Sequence, residues 1–97
     1  MSCYFVAQIR IHDEEEYQKY LVAVDGVFEK FHGKYLAVDQ KPEVLEGSWS
    51  GGRLILIEFP SEEELKRWYD SPEYRTILQY RLKAAECNSL LVRGLTT

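Results

Sequence analysis

The stretch Arg53-Leu54-Ile55-Leu56-Ile57-Glu58-Phe59 decides the fold. It has the length of a strand, and its apolar side chains occupy both faces of a period-2 alternation: Leu54 and Leu56 on one, Ile55, Ile57 and Phe59 on the other. A central strand covered above and below reads this way. Glu58 interrupts the face shared by Leu54 and Leu56. Pro60 ends the strand, and Ser61 followed by Glu64 matches a capping box that opens a helix. In the other direction, Ser50-Gly51-Gly52 is a turn signal, Glu43–Gly47 reads as extended, Asp39–Pro42 is a break, and Lys34–Val38 reads as a strand.

Further out, Cys3–Ile11 alternates strictly, with Phe5, Ala7, Ile9 and Ile11 facing one way and Tyr4, Val6, Gln8 and Arg10 the other. Asp13 with Glu16 forms a second capping box, and the acidic run Glu14–Glu16 suits the positive end of a helix dipole. Tyr17, Tyr20, Leu21, Val24, Val27, Phe28 and Phe31 then make one apolar stripe at helical spacing, and Gly33 is expected to end the helix in the left-handed conformation. After Ser61, Leu65, Trp68 and Tyr69 face inward. The helix breaks at Asp70-Ser71-Pro72, with Ser71 as the cap of a new helix and Pro72 in its first turn. Tyr74, Ile77 and Leu78 face inward again, and Asn88–Arg93 is the last strand.

The order strand, helix, strand, strand, broken helix, strand predicts an α+β, ferredoxin-like βαββαβ fold. Its antiparallel sheet has four strands in the order 4-1-3-2, with the helices on one face. One element is then missing: the third strand is apolar on both faces, and the helices cover only one. A second copy of the sheet is the economical cover, which predicts a homodimer packed sheet to sheet as a dimeric α/β barrel. Residues 1–97 are expected to form a single domain, since 97 residues with 45% hydrophobic and 29% charged side chains suit one globular core.

Charge and composition exclude several functions. Twelve basic residues against 16 acidic ones give a net charge of −4, which opposes a nucleic-acid surface. No apolar run reaches the roughly 20 residues of a membrane span, and because Met1 leads directly into a strand no signal peptide is expected. Cys3 and Cys87 open strands that should be antiparallel neighbours, far apart and lacking a CxxC spacing. They read as small hydrophobes in a reducing, cytoplasmic setting. The histidines are too few and scattered for a metal site, and no phosphate loop or nucleophile elbow is present. No cofactor is expected.

Two residues are candidates for proton transfer. His32 stands at a helix end, either as a charge on the last carbonyls or as an acid–base group at the mouth of a cleft between helices and sheet. Glu58 is either paired with Arg10 or Arg93 on a neighbouring strand or a general base in a pocket. Trp68, Tyr69 and Tyr74 surround the helix break, and such a break backed by aromatics can open a flat apolar cavity. With His32 they form the candidate ligand-binding set, against the plainer reading of core filling.

The run Glu58-Phe59-Pro60-Ser61 followed by Trp68-Tyr69-Asp70-Ser71-Pro72-Glu73-Tyr74 resembles the bacterial family catalogued as domain of unknown function 1330. Tyr4-Phe5-Val6, His32-Gly33-Lys34-Tyr35-Leu36 and Val44-Leu45-Glu46-Gly47-Ser48-Trp49 extend the resemblance over essentially the whole chain. It implies the dimeric α/β-barrel group, which also holds cofactor-independent quinol-type monooxygenases and muconolactone isomerases. The family has no established activity, so the resemblance carries over no catalytic residue. The expected function is binding of a small, partly aromatic metabolite in a cleft between sheet and helices. The alternatives are a cofactor-independent monooxygenase or isomerase acting on a phenolic or lactone-like substrate, and a non-catalytic structural dimer.

Overall fold

Alternation along Cys3–Ile11 becomes strand β1, whose Cys3, Phe5, Ala7 and Ile9 are all buried. The structure, a computed structural model, describes residues 1–95. After β1 come α1 (Glu14–Lys30), β2 (Lys34–Asp39), β3 (Arg53–Phe59), α2 (Glu62–Asp70), α3 (Pro72–Ala84) and β4 (Ala85–Arg93). The sheet is antiparallel throughout and ordered β2-β3-β1-β4, the expected order read from the other edge. This is the ferredoxin-like fold.

Both N-caps form, though without the return bond of a full capping box: the Asp13 amide goes to the Ala84 carbonyl, and the Glu16 and Glu64 carboxylates bond Lys19 and Arg67. The Asp13 side chain accepts from the Glu16 amide, and Ser61 Oγ accepts from the Glu64 amide, each at 3.1 Å. These bonds satisfy amides that the first helical turn leaves without intrahelical partners. The other end of α1 departs from expectation. His32, not Gly33, takes the left-handed conformation, with φ 64°. The Gly33 amide bonds the Phe28 carbonyl at 3.0 Å and the His32 amide bonds the Glu29 carbonyl at 3.3 Å, which is a Schellman closure with His32 at its left-handed position. Gly33 is needed for space instead: a Cβ there would lie 3.0 Å from the Phe59 ring and 3.2 Å from Phe28.

Two boundaries also differ. Strand β4 begins at Ala85, ahead of the expected Asn88, because Ala85 and Glu86 find partners in Ile11 and Arg10 of β1. Glu43–Gly47 forms no strand; it lies in an exposed loop with no partner strand beside it.

The register sorts the side chains into two faces. Toward the helices, Phe5 stands between Ile57 and Leu91, Ala7 between Ile55 and Ser89, and Ile9 between Arg53 and Cys87. These residues pack under Tyr17, Tyr20, Val24, Phe28, Leu65, Trp68, Tyr74, Ile77 and Leu78. The opposite face carries Tyr4, Val6, Gln8, Leu54, Leu56, Glu58, Leu90 and Val92; among the described residues no helix lies over it, and the loop before β3 touches it at Gln8, which donates to Ser50 and Gly51. Leu90 and Val92 are 63% and 41% exposed there. The extents of 36 × 36 × 16 Å describe one sheet with one helical layer.

Candidate functional site

Ser71 builds the helix break. Its Oγ accepts from the Tyr74 amide at 3.1 Å and donates to the Trp68 carbonyl at 2.8 Å, so one hydroxyl caps α3 and closes α2. The bonds hold the Trp68 and Tyr74 rings 4.2 Å apart. Trp68 also meets Phe5 at 5.0 Å, Phe28 at 4.9 Å and Phe59 at 5.2 Å. Trp68 and Tyr74 are fully buried, so they are core, and neither reaches an open surface.

Tyr69, the residue beside Trp68, does reach a cavity. This space of about 340 Å³ lies between α2 and the edge strand β4. Phe5, Leu65, Tyr69 and Leu91 give it apolar walls, and Lys66, Asp70 and Ser89 add polar groups. Arg75 steadies Tyr69, stacking its guanidinium 4.6 Å from the ring centre while bonding Asp70 at 3.0 Å.

The other two candidates lie elsewhere. His32 does not line this cavity; its largely exposed imidazole stands 3.8 Å from Glu64, held by the α1 terminus outside the layer between helices and sheet. Glu58 sits on the uncovered sheet face, opposite Tyr4, whose hydroxyl is 3.5 Å away. The expected partners are engaged elsewhere: Arg10 pairs with Glu86 and Arg93 with Glu62, because the register sets Glu86 directly across from Arg10. The structure therefore brings together Trp68, Tyr69 and Tyr74, and leaves His32 and Glu58 apart from them and from the cavity.

A residue that sequence reasoning missed occupies the middle of the helix–sheet layer. Arg81 is 2% exposed, and its Nε and Nη1 have no hydrogen-bond partner among the described residues. It forms no ion pair among them either. Its guanidinium lies 5.7 Å from the centre of the Tyr20 ring. Nearby, the hydroxyls of Tyr20 and Tyr74 share a buried hydrogen bond of 2.9 Å, and the buried Tyr17 hydroxyl has no partner. Burial pushes the phenols of Tyr17, Tyr20 and Tyr74 upward, and Arg81 opposes the shift at each. Burial also raises the Cys87 thiol, against the nearby charge of Arg81. The missed signal was spacing: Tyr74, Ile77, Leu78 and Arg81 follow one helical stripe, which puts an arginine at a core position.

The family model for "Domain of unknown function (DUF1330)" matches residues 2–95. The chain belongs to that family. Like this DUF1330 chain, several solved structures carry the fold. A protein of unknown function from Rhodopseudomonas palustris is 20% identical, with 99% of this chain and 84% of that one covered and a TM-score of 0.80. A dimeric ferredoxin-like protein of unknown function from Jannaschia sp. CCS1 is 10% identical over 97% of this chain and 100% of that one, TM-score 0.75. SnoaB, a cofactor-independent oxygenase from Streptomyces nogalater, is 10% identical over 99% of this chain and 95% of that one, TM-score 0.67. At these identities the likeness is one of fold. No curated protein matches the chain. Among the described residues, no group of three or more His, Cys, Asp or Glu is placed to hold a metal ion, and no helix is long and apolar enough to cross a membrane.

Proposed function

We propose that this DUF1330 chain is one domain of a homodimer, and that each subunit binds a small, partly aromatic metabolite between α2 and β4. The cavity of about 340 Å³ carries the reading. It falls in the size range of small-ligand pockets, roughly 300–1,000 Å³, and combines apolar walls with a few polar groups as such pockets do. Tyr69 is the ring that meets the ligand; Trp68 and Tyr74 support it from behind. In a thermal-shift and NMR screen of naphthols, benzoates and aromatic lactones, binders should raise the melting temperature and shift Tyr69 and Ser89 signals. Tyr69→Ala should remove the effect. If none of the panel binds, the scaffold reading, a dimer without a ligand site, takes its place.

The second copy belongs on the uncovered sheet face. Val6, Leu54, Leu56, Leu90 and Val92 form its apolar strip, which a partner sheet would cover. The Jannaschia protein is dimeric, which supports the dimeric state. Sedimentation should give a dimer at micromolar concentration and a monomer for Leu56→Asp; a monomeric wild type refutes this part of the proposal. The free thiols of Cys3 and Cys87 suit a reducing cytoplasm.

A catalytic version is supported by the fold likeness to SnoaB: cofactor-independent oxygenation or isomerisation of a phenolic or lactone-like substrate in the same cavity. It assigns no role to His32 or Glu58, which lie away from the cavity. Oxygen uptake with quinols, compared between wild type and Tyr69→Ala, tests it, and absence of turnover leaves the binding role.

A further inference from the structure

We propose that the buried Arg81 guanidinium is the anion-binding end of the ligand site, so that the preferred ligand is an aromatic carboxylate. The assignment rests on the cavity reading above and names the chemistry of its inner end. A guanidinium deprived of water is stable only when another group supplies charge and hydrogen-bond acceptors. Arg81 lacks both. It is 98% out of solvent, two of its nitrogens have no partner, and no carboxylate of the described residues reaches it. The neighbouring oxygens do not fill the gap, since Tyr20 and Tyr74 are bonded to each other and burial favours their neutral forms. A planar carboxylate matches the guanidinium fork with two parallel hydrogen bonds, which a point-like anion cannot do.

The sheet register connects this charge to the cavity. On the helix-facing side of β4, Cys87, Ser89 and Leu91 succeed one another. Ser89 and Leu91 line the cavity, and Cys87, the next residue of that row, feels the charge of Arg81. Cys87 and Ser89 are two residues apart, about 7 Å at the rise of a strand. Between them the sheet floor is low, because Ser89 is paired across β1 with Ala7 and both side chains are small. A ligand ring against Tyr69 and Phe5 would thus point its carboxylate along the Ala7–Ser89 row toward Arg81, with the unpartnered Tyr17 hydroxyl as a further donor.

The test compares 2-naphthoate with its neutral counterpart 2-naphthamide by calorimetry, on wild type, Arg81→Met and Arg81→Lys. In parallel, the Arg81 Nε–H signal is followed by NMR during titration with formate. Wild type should favour the carboxylate by about ten-fold or more, the usual scale of a charge-assisted bond. Arg81→Met should bind both compounds equally, and Arg81→Lys should recover part of the preference. Formate should shift the Arg81 signal. If naphthoate and naphthamide bind alike while formate leaves Arg81 unmoved, the cavity stands and the Arg81 assignment falls. If formate shifts Arg81 but neither naphthalene compound binds, the anion site stands and the cavity reading falls. Silence in both overturns both. A tyrosinate absorption band near neutral pH would also overturn the assignment, since a phenolate would then supply the missing charge.

Discussion

Replacing Arg81 with methionine should make the empty protein more stable, although the change deletes one of the most buried side chains of α3. An uncompensated charge in a protein interior costs about 3–5 kcal/mol, judged from buried pairs that lose one member. Methionine keeps the aliphatic stem in the same helical stripe and fills an irregular space, so most of the packing survives. Lost with the charge is its attraction to the Tyr20 ring 5.7 Å away, about 0.5–2 kcal/mol. The balance is a gain of about 1–3 kcal/mol, or some 4–8 °C in melting temperature for each kcal/mol. Urea unfolding followed by far-UV circular dichroism measures it, in buffer free of carboxylates. Protein concentration must be fixed, because a dimer's apparent stability depends on it. Added naphthoate should reverse the order by stabilising wild type alone. A midpoint for Arg81→Met below that of wild type, at equal slope, would mean that Arg81 is satisfied in the folded state and would refute the reasoning.

Tyr74→Phe leaves the Tyr20 hydroxyl buried without its 2.9 Å partner and should cost about 1–3 kcal/mol, whereas Tyr20→Phe with Tyr74→Phe should cost less than the two single changes added; additive values from chemical denaturation would contradict the shared bond. Two glycines should respond with opposite signs. Gly26 lies in the α1 interior with open space around its Cβ position, so Gly26→Ala should stabilise by about 0.5–1 kcal/mol. At Gly52, with φ of 90° and a Cβ position 2.6 Å from the Ile9 carbonyl oxygen, Gly52→Ala should destabilise by more than about 1 kcal/mol, with both read from melting curves. Hydrogen bonds from Lys66 and Arg93 hold the Glu62 carboxyl down at about 2. A depressed carboxylate contributes fully above its ordinary value of 4.5, and the contribution disappears as pH falls toward about 2. Arg93→Ala should therefore move the Glu62 titration upward in carbon-detected NMR, and an unmoved midpoint would remove Arg93 as a cause.

The legible parts of the chain were those governed by local rules. Asp13 and Ser61 announced their helices because a capping side chain bonds an amide only three residues away. Ser71 and Pro72 marked the helix break in the same way. The left-handed residue was misplaced because Gly33 has two possible uses, conformational freedom and small size, and only the Phe59 and Phe28 rings beside it show that size decides. Glu43–Gly47 failed as a strand because extended character needs a partner strand, a non-local fact. At the site, Tyr69 and Trp68 were inseparable in sequence as adjacent aromatics, yet one lines the cavity and the other is sealed in the core.

What the sequence determined by itself was the order of elements, the strand alternation and hence the fold, since period and capping are properties of a few consecutive residues. The two-sided apolar pattern of Arg53–Phe59 also marked a sheet face over which no helix of the described residues lies. Which residues could meet a ligand was decided only by tertiary structure. The register put Glu58 on the uncovered face, the α1 terminus held His32 outside the helix–sheet layer, and α3 carried Arg81 into its centre. Whether a charge finds a partner depends on residues remote in the chain, and only folding brings those within reach.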